Sequence, residues 1–228
     1  MNVAIVVGGG RGIRFGGDRP KQFLELNGTP IIVHTLRQFE LSRQIGQVVV
    51  VLPAPEVAPF QSLVEQFDLR KISRVVAGGE TRAQSVKLGL AAIDQAEVVA
   101  VHDAVRPLVT HEEIDRVVES ANMSGAAILT AGVSETIKEV TNSHVARTVA
   151  RAHLRRALTP QSFHFDILKS AYDELDVLES AGVEVTDDSF LVERLGVPIS
   201  IVEGNGRNIK ITTPEDLAIA QVLLKVEV

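Results

Sequence analysis

Glycines and cations lie together near the start of the chain, in the run Gly8-Gly9-Gly10-Arg11-Gly12-Ile13-Arg14 and again at Pro20-Lys21. The run follows an apolar stretch, residues 3–7, that predicts a buried strand. Glycine lets backbone N–H groups approach a ligand that a side chain would block, and Arg and Lys pair with phosphate oxygens. The pattern therefore predicts a loop that cradles a polyphosphate.

The spacing of these glycines excludes two common phosphate-binding loops. A dinucleotide fingerprint needs glycines at i, i+2 and i+5, but the third place falls on Ile13 or Phe15 here. A P-loop ends in Gly-Lys-Ser/Thr, and neither Gly17 nor Lys21 stands in such a sequence. A different nucleotide loop and a flexible turn with solvated charges both stay open.

Composition limits the classes of protein to which the chain can belong. Its 228 residues are 45% hydrophobic and 23% charged, which is typical of a globular protein, and we expect one domain over residues 1–228. The net charge of -6 gives no overall attraction for nucleic acid or an anionic membrane, so we expect neither as a partner. The absence of cysteine excludes disulfides, zinc–thiolate sites and cysteine nucleophiles.

Targeting segments are not evident in the sequence. No apolar run approaches the roughly 18 residues of a membrane-spanning helix. The N-terminus begins directly with a predicted strand and has no charged n-region followed by a cleavage site. We therefore expect a cytoplasmic location by default.

Short apolar, β-branched runs alternate with amphipathic stretches of helical length, of which residues 30–41 and 82–93 are the clearest. This alternation predicts an α/β fold, with a Rossmann-like, mostly parallel sheet covered by helices on both faces. Helix starts are predicted at Thr110, which forms a capping box with Glu113, and at Thr213 before Pro214. The predicted strands are residues 3–7, 47–52, 74–77, 98–102, 126–133 and 199–202.

One stretch departs from this alternation. Residues 135–149 contain two β-prone pieces on either side of Asn142-Ser143, a turn signal. We interpret residues 135–150 as a β-arm that projects from the domain. Because an isolated hairpin is marginal in water, we expect the arm to pack on a second subunit of a homodimer.

Four polar segments are expected to meet in one crevice, since ligands of open parallel sheets bind outside the carboxyl ends of the strands. They are the glycine loop and residues 78–82, 102–107 and 208–211. Asp103 is either a strand-end cap or a magnesium ligand, and the nearby polyphosphate loop favours the metal. Arg106 and Lys210 could meet phosphates or be surface cations, and Ser85 could cap a helix or contact a base.

The lack of other catalytic motifs in the sequence favours a reaction that needs no general base from the protein. The six histidines show no metal-ligand spacing, and no Gly-x-Ser-x-Gly serine is present. An attacking phosphate monoester has a second pKa near 6 and is mostly dianionic at neutral pH. Catalysis then reduces to positioning and to neutralising charge with a metal, Arg and Lys.

The motifs, taken in order, resemble the family of 2-C-methyl-D-erythritol 4-phosphate cytidylyltransferases over essentially the whole chain. The glycine loop is shared by many nucleotidyltransferases, but the ordered set is much more specific. The motifs are Gly-Gly-Gly-x-Gly-x-Arg with Pro-Lys-Gln, Gly-Gly-x-x-Arg-x-x-Ser-Val, His-Asp-Ala-x-Arg-Pro, Thr-Ile-Lys, Leu-Thr-Pro-Gln-x-Phe, Thr-Asp-Asp and Asn-Ile-Lys-Ile-Thr-x-Pro-Glu-Asp-Leu.

The resemblance implies a fold of the nucleotide-diphospho-sugar transferase type and an enzyme of the non-mevalonate isoprenoid pathway. Such an enzyme joins CTP to methylerythritol phosphate, releases pyrophosphate and uses Mg²⁺. By position, Arg14, Lys21 and Lys210 would hold the triphosphate and stabilise charge on the α-phosphate, and Asp103 would serve the metal and ribose. The cytosine would be read by Gly8, Gly9, Gly10, Gly79, Glu80 and Ser85.

The resemblance also implies where the second substrate binds. The arm of this family crosses to the partner subunit, so part of each site would come from the other chain of a homodimer. The residues that would hold methylerythritol phosphate are Arg106, Thr136, Arg151, Thr159 and Thr186.

Two positions depart from the family pattern. Gly8-Gly9 stands where many members have Ala-Ala, which keeps the backbone accessible, and Glu80 stands where Asp is common. The rival assignments are a ribitol-5-phosphate cytidylyltransferase, a sugar-nucleotide pyrophosphorylase that uses another base, and a catalytically silent nucleotide-binding protein. The Thr-Ile-Lys arm favours methylerythritol phosphate, and the intact set of charged residues argues against the silent protein.

Overall fold

The fold is built on one mixed sheet of seven strands, seen in a computed structural model that describes residues 1–9 and 20–226. The strand order is β11-β7-β10-β6-β1-β4-β5, and β10 is antiparallel to both of its neighbours. The strands are β1 Asn2–Val7, β2 Glu25–Leu26, β3 Thr29–Pro30, β4 Ile45–Leu52, β5 Ile72–Ala77, β6 Val98–Asp103, β7 Ala126–Gly132, β8 Ile137–Thr141, β9 His144–Val149, β10 Arg155–His164 and β11 Ser200–Glu203.

Helices cover both faces of this sheet. Two short 3-10 helices, Lys21–Phe23 and Arg151–His153, accompany the α-helices. The α-helices are α1 Ile31–Leu41, α2 Ala54–Gln66, α3 Arg82–Ala91, α4 His111–Ser124, α5 Phe165–Asp173, α6 Leu175–Ser180, α7 Asp188–Arg194 and α8 Pro214–Leu223.

Alternation along the central strand divides the interior into two cores. Ala4 and Val6 of β1 point into the core that holds α1, α2 and α4, whereas Val3 and Ile5 point into the core that holds α3, α5 and α7. Side chains of successive strand residues face opposite sides, so a strand that is apolar throughout is buried on both faces. The α/β prediction with helices on both faces is thereby confirmed.

The predicted caps and the hairpin are also present. Thr110 and Thr213 both form capping boxes, the latter with Asp216 and with Pro214 in the first turn. Strands β8 and β9 form a two-stranded sheet of their own, joined by Asn142 and Ser143, which both have positive φ. Among the described residues this hairpin pairs with no other strand.

Strand β10 was not expected from the sequence. Its residues Arg155–His164 are not an apolar run and include Pro160, a residue that usually argues against a central strand. The pairing with β7 shifts register between Ala157 and Gln161, and this irregularity accommodates the proline. The predicted sheet was therefore correct in its parallel part and incomplete in its centre.

No helix in the described part of the chain has both the length and the apolar character that crossing a bilayer requires.

Candidate active site

Three cations surround one buried carboxylate at the carboxyl end of β6. Asp103 is the last residue of that strand, and its Oδ1 accepts from Arg82 Nε at 3.0 Å. Its Oδ2 accepts from Arg106 Nε at 3.1 Å and lies 3.1 Å from Lys210 Nζ. The prediction that residues 78–82, 102–107 and 208–211 converge is therefore confirmed for these side chains.

The cations decide the ionisation of Asp103. Burial alone would raise the pKa of its carboxyl group, but Arg82, Lys210 and Arg106 together hold that pKa well below the usual 3.8. Asp103 is thus an anion at neutral pH, and both of its oxygens have cationic partners. Lys210 keeps about a third of its side chain exposed, at 36%, so its ammonium group can reach a ligand in the crevice.

A buried chain of hydrogen bonds lies next to this carboxylate. The Arg106 carbonyl can only accept, so His102 Nε2 donates to it at 3.2 Å. His102 Nδ1 is then the acceptor for the Thr159 hydroxyl at 2.9 Å, and Thr159 Oγ1 accepts from the Asp103 N–H at 3.3 Å. Complete burial lowers the pKa of His102 from 6.5 to about 3, so the ring stays neutral.

Asn208 connects the same groups from the C-terminal segment. Its side-chain Nδ2 donates to the Thr159 carbonyl at 2.9 Å, and its own carbonyl accepts from Arg106 Nη1 at 2.9 Å. Because Lys210 follows two residues later, Asn208 fixes the segment that carries this lysine. Arg106, Thr159 and Lys210, three of the predicted site residues, are therefore held in one network.

A second carboxylate lies behind Arg82. The two Nη atoms of Arg82 donate to the two oxygens of Asp188 at 3.1 and 2.8 Å, and Tyr172 donates its hydroxyl to Asp188 at 2.5 Å. Asp188 is completely buried at the start of α7. Burial and Asp188 raise the pKa of Tyr172 well above 10.0, so its hydroxyl keeps the proton that it donates.

The two glycine segments meet at Ser85. A Cβ on Gly9 would lie 2.6 Å from Ser85 Oγ and one on Gly78 would lie 2.8 Å from it, so glycine at both positions lets the hydroxyl approach closely. Ser85 Oγ accepts from the Gly79 N–H at 3.1 Å and donates to the Thr81 carbonyl at 2.9 Å. The hydroxyl therefore fixes the loop that was predicted to read the base. The alternative that Ser85 caps α3 is wrong, since Thr81 is the N-cap.

The start of the glycine loop is held by Gln22. Its side-chain Nε2 donates to the Gly8 carbonyl at 2.7 Å, and the Gly8 N–H donates to Val51. Lys21 therefore begins a 3-10 helix directly beside the end of β1, with its side chain partly exposed. Gly10 and Arg14, two of the predicted site residues, lie outside the described residues.

Four other predicted site residues are exposed in this chain. Glu80 follows the Gly78-Gly79 turn, and its N–H donates to Gln84. Thr186 stands directly before Asp187, the N-cap of α7. Thr136 directly precedes β8 within the arm and Arg151 directly follows the arm, where a guanidinium nitrogen of Arg151 donates to the Ser134 carbonyl.

Several supporting residues were not identified as such from the sequence. Arg82 stands in the Gly-Gly-x-x-Arg motif and Asp188 in Thr-Asp-Asp, so the motifs contained them without showing their contacts. Tyr172 carried no sequence signal, although it is the only tyrosine of the chain.

Within the described residues, the crevice presents the Asp103 carboxylate rather than a ready-made cation cage. No group of three or more His, Cys, Asp or Glu side chains that could hold a metal occurs within residues 1–9 and 20–226. Mg²⁺ is commonly bound by one or two carboxylates together with substrate phosphates, so a single carboxylate still fits a metal that arrives with a nucleotide. Asp103 could contribute once Arg106 or Lys210 has left its Oδ2 for a phosphate.

Comparison with known proteins gives one consistent family. A family model described as 2-C-methyl-D-erythritol 4-phosphate cytidylyltransferase matches residues 2–226. The protein of that name from Bacillus velezensis is 42% identical over 226 residues, which cover 99% of this chain and 96% of the relative. The one from Syntrophus aciditrophicus is 41% identical over 228 residues, with coverage of 99% and 96%.

Solved structures agree with this similarity. The crystal structure of 4-diphosphocytidyl-2C-methyl-D-erythritol synthase from Anaerococcus prevotii superposes with a TM-score of 0.87 at 27% identity, covering 99% of this chain and 96% of that one. The crystal structure of the cytidylyltransferase from Thermus thermophilus superposes with a TM-score of 0.78 at 32% identity, covering 99% and 100%. The predicted fold class is confirmed.

Proposed function

Because the chain belongs to the 2-C-methyl-D-erythritol 4-phosphate cytidylyltransferase family, we propose that its crevice joins CTP to 2-C-methyl-D-erythritol 4-phosphate. The products are 4-diphosphocytidyl-2-C-methyl-D-erythritol and pyrophosphate. The observation that carries this assignment to the crevice is the convergence of Arg82, Arg106 and Lys210 on Asp103. The chain is a nucleotidyltransferase, and the relatives named above favour methylerythritol phosphate over ribitol phosphate.

The reaction is a displacement at the α-phosphorus of CTP. An oxygen of the methylerythritol phosphate forms a bond to that phosphorus, and the bond to the oxygen that bridges to the β-phosphate breaks, so pyrophosphate carries away the electron pair. The attacking phosphate is already ionised at neutral pH and needs no base. What the site must supply is alignment and positive charge.

Lys21 and Lys210, together with Arg14, would supply that charge. Lys210 Nζ lies 3.1 Å from Asp103 Oδ2, and its partial exposure supports a role in the crevice. The position of Lys21 beside the end of β1 supports contact with the triphosphate. We propose Asp103 as the carboxylate on the ribose and metal side.

The base would bind between the two glycine segments. By the family resemblance, Gly8 and Gly9 together with Gly10 would supply one wall, and Gly79, Glu80 and Ser85 would supply the other. The contact of Ser85 with Gly79 supports this pocket, because it fixes backbone groups that could read the edge of cytosine. Glu80 is exposed, so its extra methylene relative to the common Asp adds nothing to the buried volume of the loop.

The second substrate would lie between the buried network and an arm. Arg106 and Thr159 are part of the network at Asp103, and Thr186 is near the start of α7. Thr136 and Arg151 lie next to strands β8 and β9 of the arm, and these strands pair with no other strand among the described residues. We propose that the partner subunit of a homodimer brings its arm to the crevice and thereby completes the site.

Exposed valines on the arm support the homodimer. Val140 and Val145 face each other across the hairpin and are 61% and 62% exposed. Because an isolated two-stranded hairpin is marginally stable in water, packing of these side chains on a second subunit would stabilise the arm. Replacing both with Ser should lower the measured mass by half in light scattering, whereas the same change at Val177 on α6 should not.

Mg²⁺ would accompany the triphosphate and supply further positive charge. If Asp103 contributes to its binding, Asp103→Asn should raise the Mg²⁺ concentration that gives half-maximal activity. An unchanged magnesium requirement would restrict the metal to the phosphates. The single domain and the cytoplasmic location stay predictions from the sequence.

The decisive experiment is pyrophosphate release with CTP and each phosphoalcohol in turn. Methylerythritol phosphate should support turnover, and ribitol 5-phosphate should support little or none. Replacing CTP with UTP tests the base pocket in the same assay. Absence of turnover with every phosphoalcohol would contradict the proposed activity.

A further inference from the structure

Arg82 joins the crevice to the buried start of α7 through three hydrogen bonds. We propose that Arg82 is a positioning residue for cytidylyl transfer, which fixes the Asp103 carboxylate and, through it, Lys210 and Arg106. This inference rests on the roles proposed above for Asp103 and Lys210.

The contacts fix the guanidinium plane. Both oxygens of Asp188 receive one Nη each, at 3.1 and 2.8 Å, which is the bidentate geometry that orients an arginine most strongly. Asp188 is itself completely buried and is held by the Tyr172 hydroxyl. The third donor, Nε, is thereby aimed at Asp103 Oδ1 at 3.0 Å.

The hydrogen bond from Arg82 Nε to Asp103 determines which carboxylate oxygen the other two cations contact. Arg82 takes Oδ1, so Arg106 Nε and Lys210 Nζ both meet Oδ2. Without Arg82, the carboxylate could turn and offer a separate oxygen to each of the two remaining cations. The ammonium group of Lys210 would then rest in a different place, and displacements of about 1 Å far from the reacting atoms can cost on the order of 100-fold in rate.

The ion pair between Arg82 and Asp188 also stabilises the fold, so the test must separate a loss of kcat from a loss of stability. Removing Arg82 alone leaves Asp188 as an unpaired buried charge, which is strongly destabilising. The variant Arg82→Met/Asp188→Asn removes both charges and leaves an amide oxygen for the Tyr172 hydroxyl. Arg82→Lys keeps the charge but has a single donor group, so it cannot hold both carboxylates in the same geometry.

The test compares these variants by kcat, by KM for CTP and by thermal melting. We expect Arg82→Lys and Arg82→Met/Asp188→Asn to lower kcat by on the order of 10-fold to 100-fold, with a change in KM for CTP of about threefold or less. Two controls sit at the opposite end of the sheet. Arg74→Lys alters a surface ion pair with Asp94, and Ile45→Ala weakens the core at the start of β4.

A second measurement separates positioning from general weakening. In an Asp103→Asn background, Arg82→Lys should lower kcat by less than about threefold, because residues that act as a unit have strongly non-additive effects. The inference is wrong if the effects of Asp103→Asn and Arg82→Lys on kcat simply multiply in the double variant. It is also wrong if Ile45→Ala, at a temperature where it is destabilised as much as Arg82→Lys, loses as much kcat. If the Arg82 variants fail to fold, the same test is applied to Asp188→Asn. This variant keeps Arg82 but weakens its bidentate contact with residue 188.

Failure of the site assignment would look different. If Asp103→Asn and Lys210→Met both retain the kcat of the unmodified enzyme, the proposed roles of those residues are wrong, whatever Arg82 does. If both are impaired and the Arg82 variants behave like Arg74→Lys, only the positioning role is refuted.

Discussion

The buried histidine of the active-site network makes the stability of the enzyme sensitive to acid. Burial lowers the pKa of His102 from 6.5 to about 3. An unfolded chain binds this proton near pH 6.5, so between those two values the unfolded state holds one more proton than the folded state. Stability therefore falls as the pH falls, by about 2 kcal/mol between pH 7 and pH 5.

The substitution His102→Gln isolates this contribution. Glutamine keeps a donor and an acceptor for the Arg106 carbonyl and the Thr159 hydroxyl, but it does not titrate. The variant should be less stable at pH 7, because its shape differs from that of imidazole. Its deficit relative to the unmodified protein should then shrink by about 2 kcal/mol at pH 5. Urea unfolding at pH 7, 6 and 5 measures both free energies.

The control for this experiment is Ile45→Ala, which weakens the core without removing a titratable group. Its stability should fall with pH in parallel with that of the unmodified protein. A deficit of His102→Gln that stays constant within about 0.5 kcal/mol from pH 7 to pH 5 would mean that folding does not shift the titration of His102. The hydrogen-bond chain from Arg106 to Asp103 would then be misassigned.

Three further predictions concern charge, the arm and the fold. Lys21→Ala should lower kcat/KM by on the order of 100-fold, as expected for loss of a main stabiliser of developing charge, and activity within a few-fold of the unmodified enzyme would refute that role. Arg151→Ala should raise KM for the phosphoalcohol far more than KM for CTP; equal changes would contradict a contact with the alcohol. Thr110→Ala removes the capping box with Glu113 and should cost about 1 kcal/mol of stability, measured by urea unfolding, whereas Thr141→Ala on the exposed arm should cost little.

The parallel half of the sheet could be read from the sequence because its strands are apolar on both faces. The apolar runs at residues 3–7 and 98–102 predict strands that are buried between two layers of helices. Strand β10 could not be found in this way. Strand β10 is stabilised by pairing with β6 and β7, neither of which is adjacent to it in sequence. Pro160 interrupts the sequence pattern that would otherwise predict a strand. Tertiary pairing overrides local preference at such a strand.

The charged residues of the site could be found from motifs, but their pairing could not. Asp103, Arg106 and Lys210 all stand in recognisable patterns, and the rule for the carboxyl ends of parallel strands brought them together. Nothing in the spacing of Arg82 and Asp188 indicates that they meet, since 106 positions separate them. A bidentate pair over that distance is a property of the packed fold.

The carboxylate at the centre of the crevice accounts for how three cations lie close together. Arg82, Arg106 and Lys210 would repel one another in a partly dry site if Asp103 did not lie between them. In the proposed site, a bound triphosphate would offer more negative charge to the same groups, so Lys210 and Arg106 would exchange a carboxylate oxygen for a phosphate oxygen without losing a partner. Arg82, tied to Asp188, cannot follow them. Arg82 would therefore hold Asp103 in place while the other two cations, in their proposed roles, turn to the substrates, which is why we assign the positioning role to Arg82.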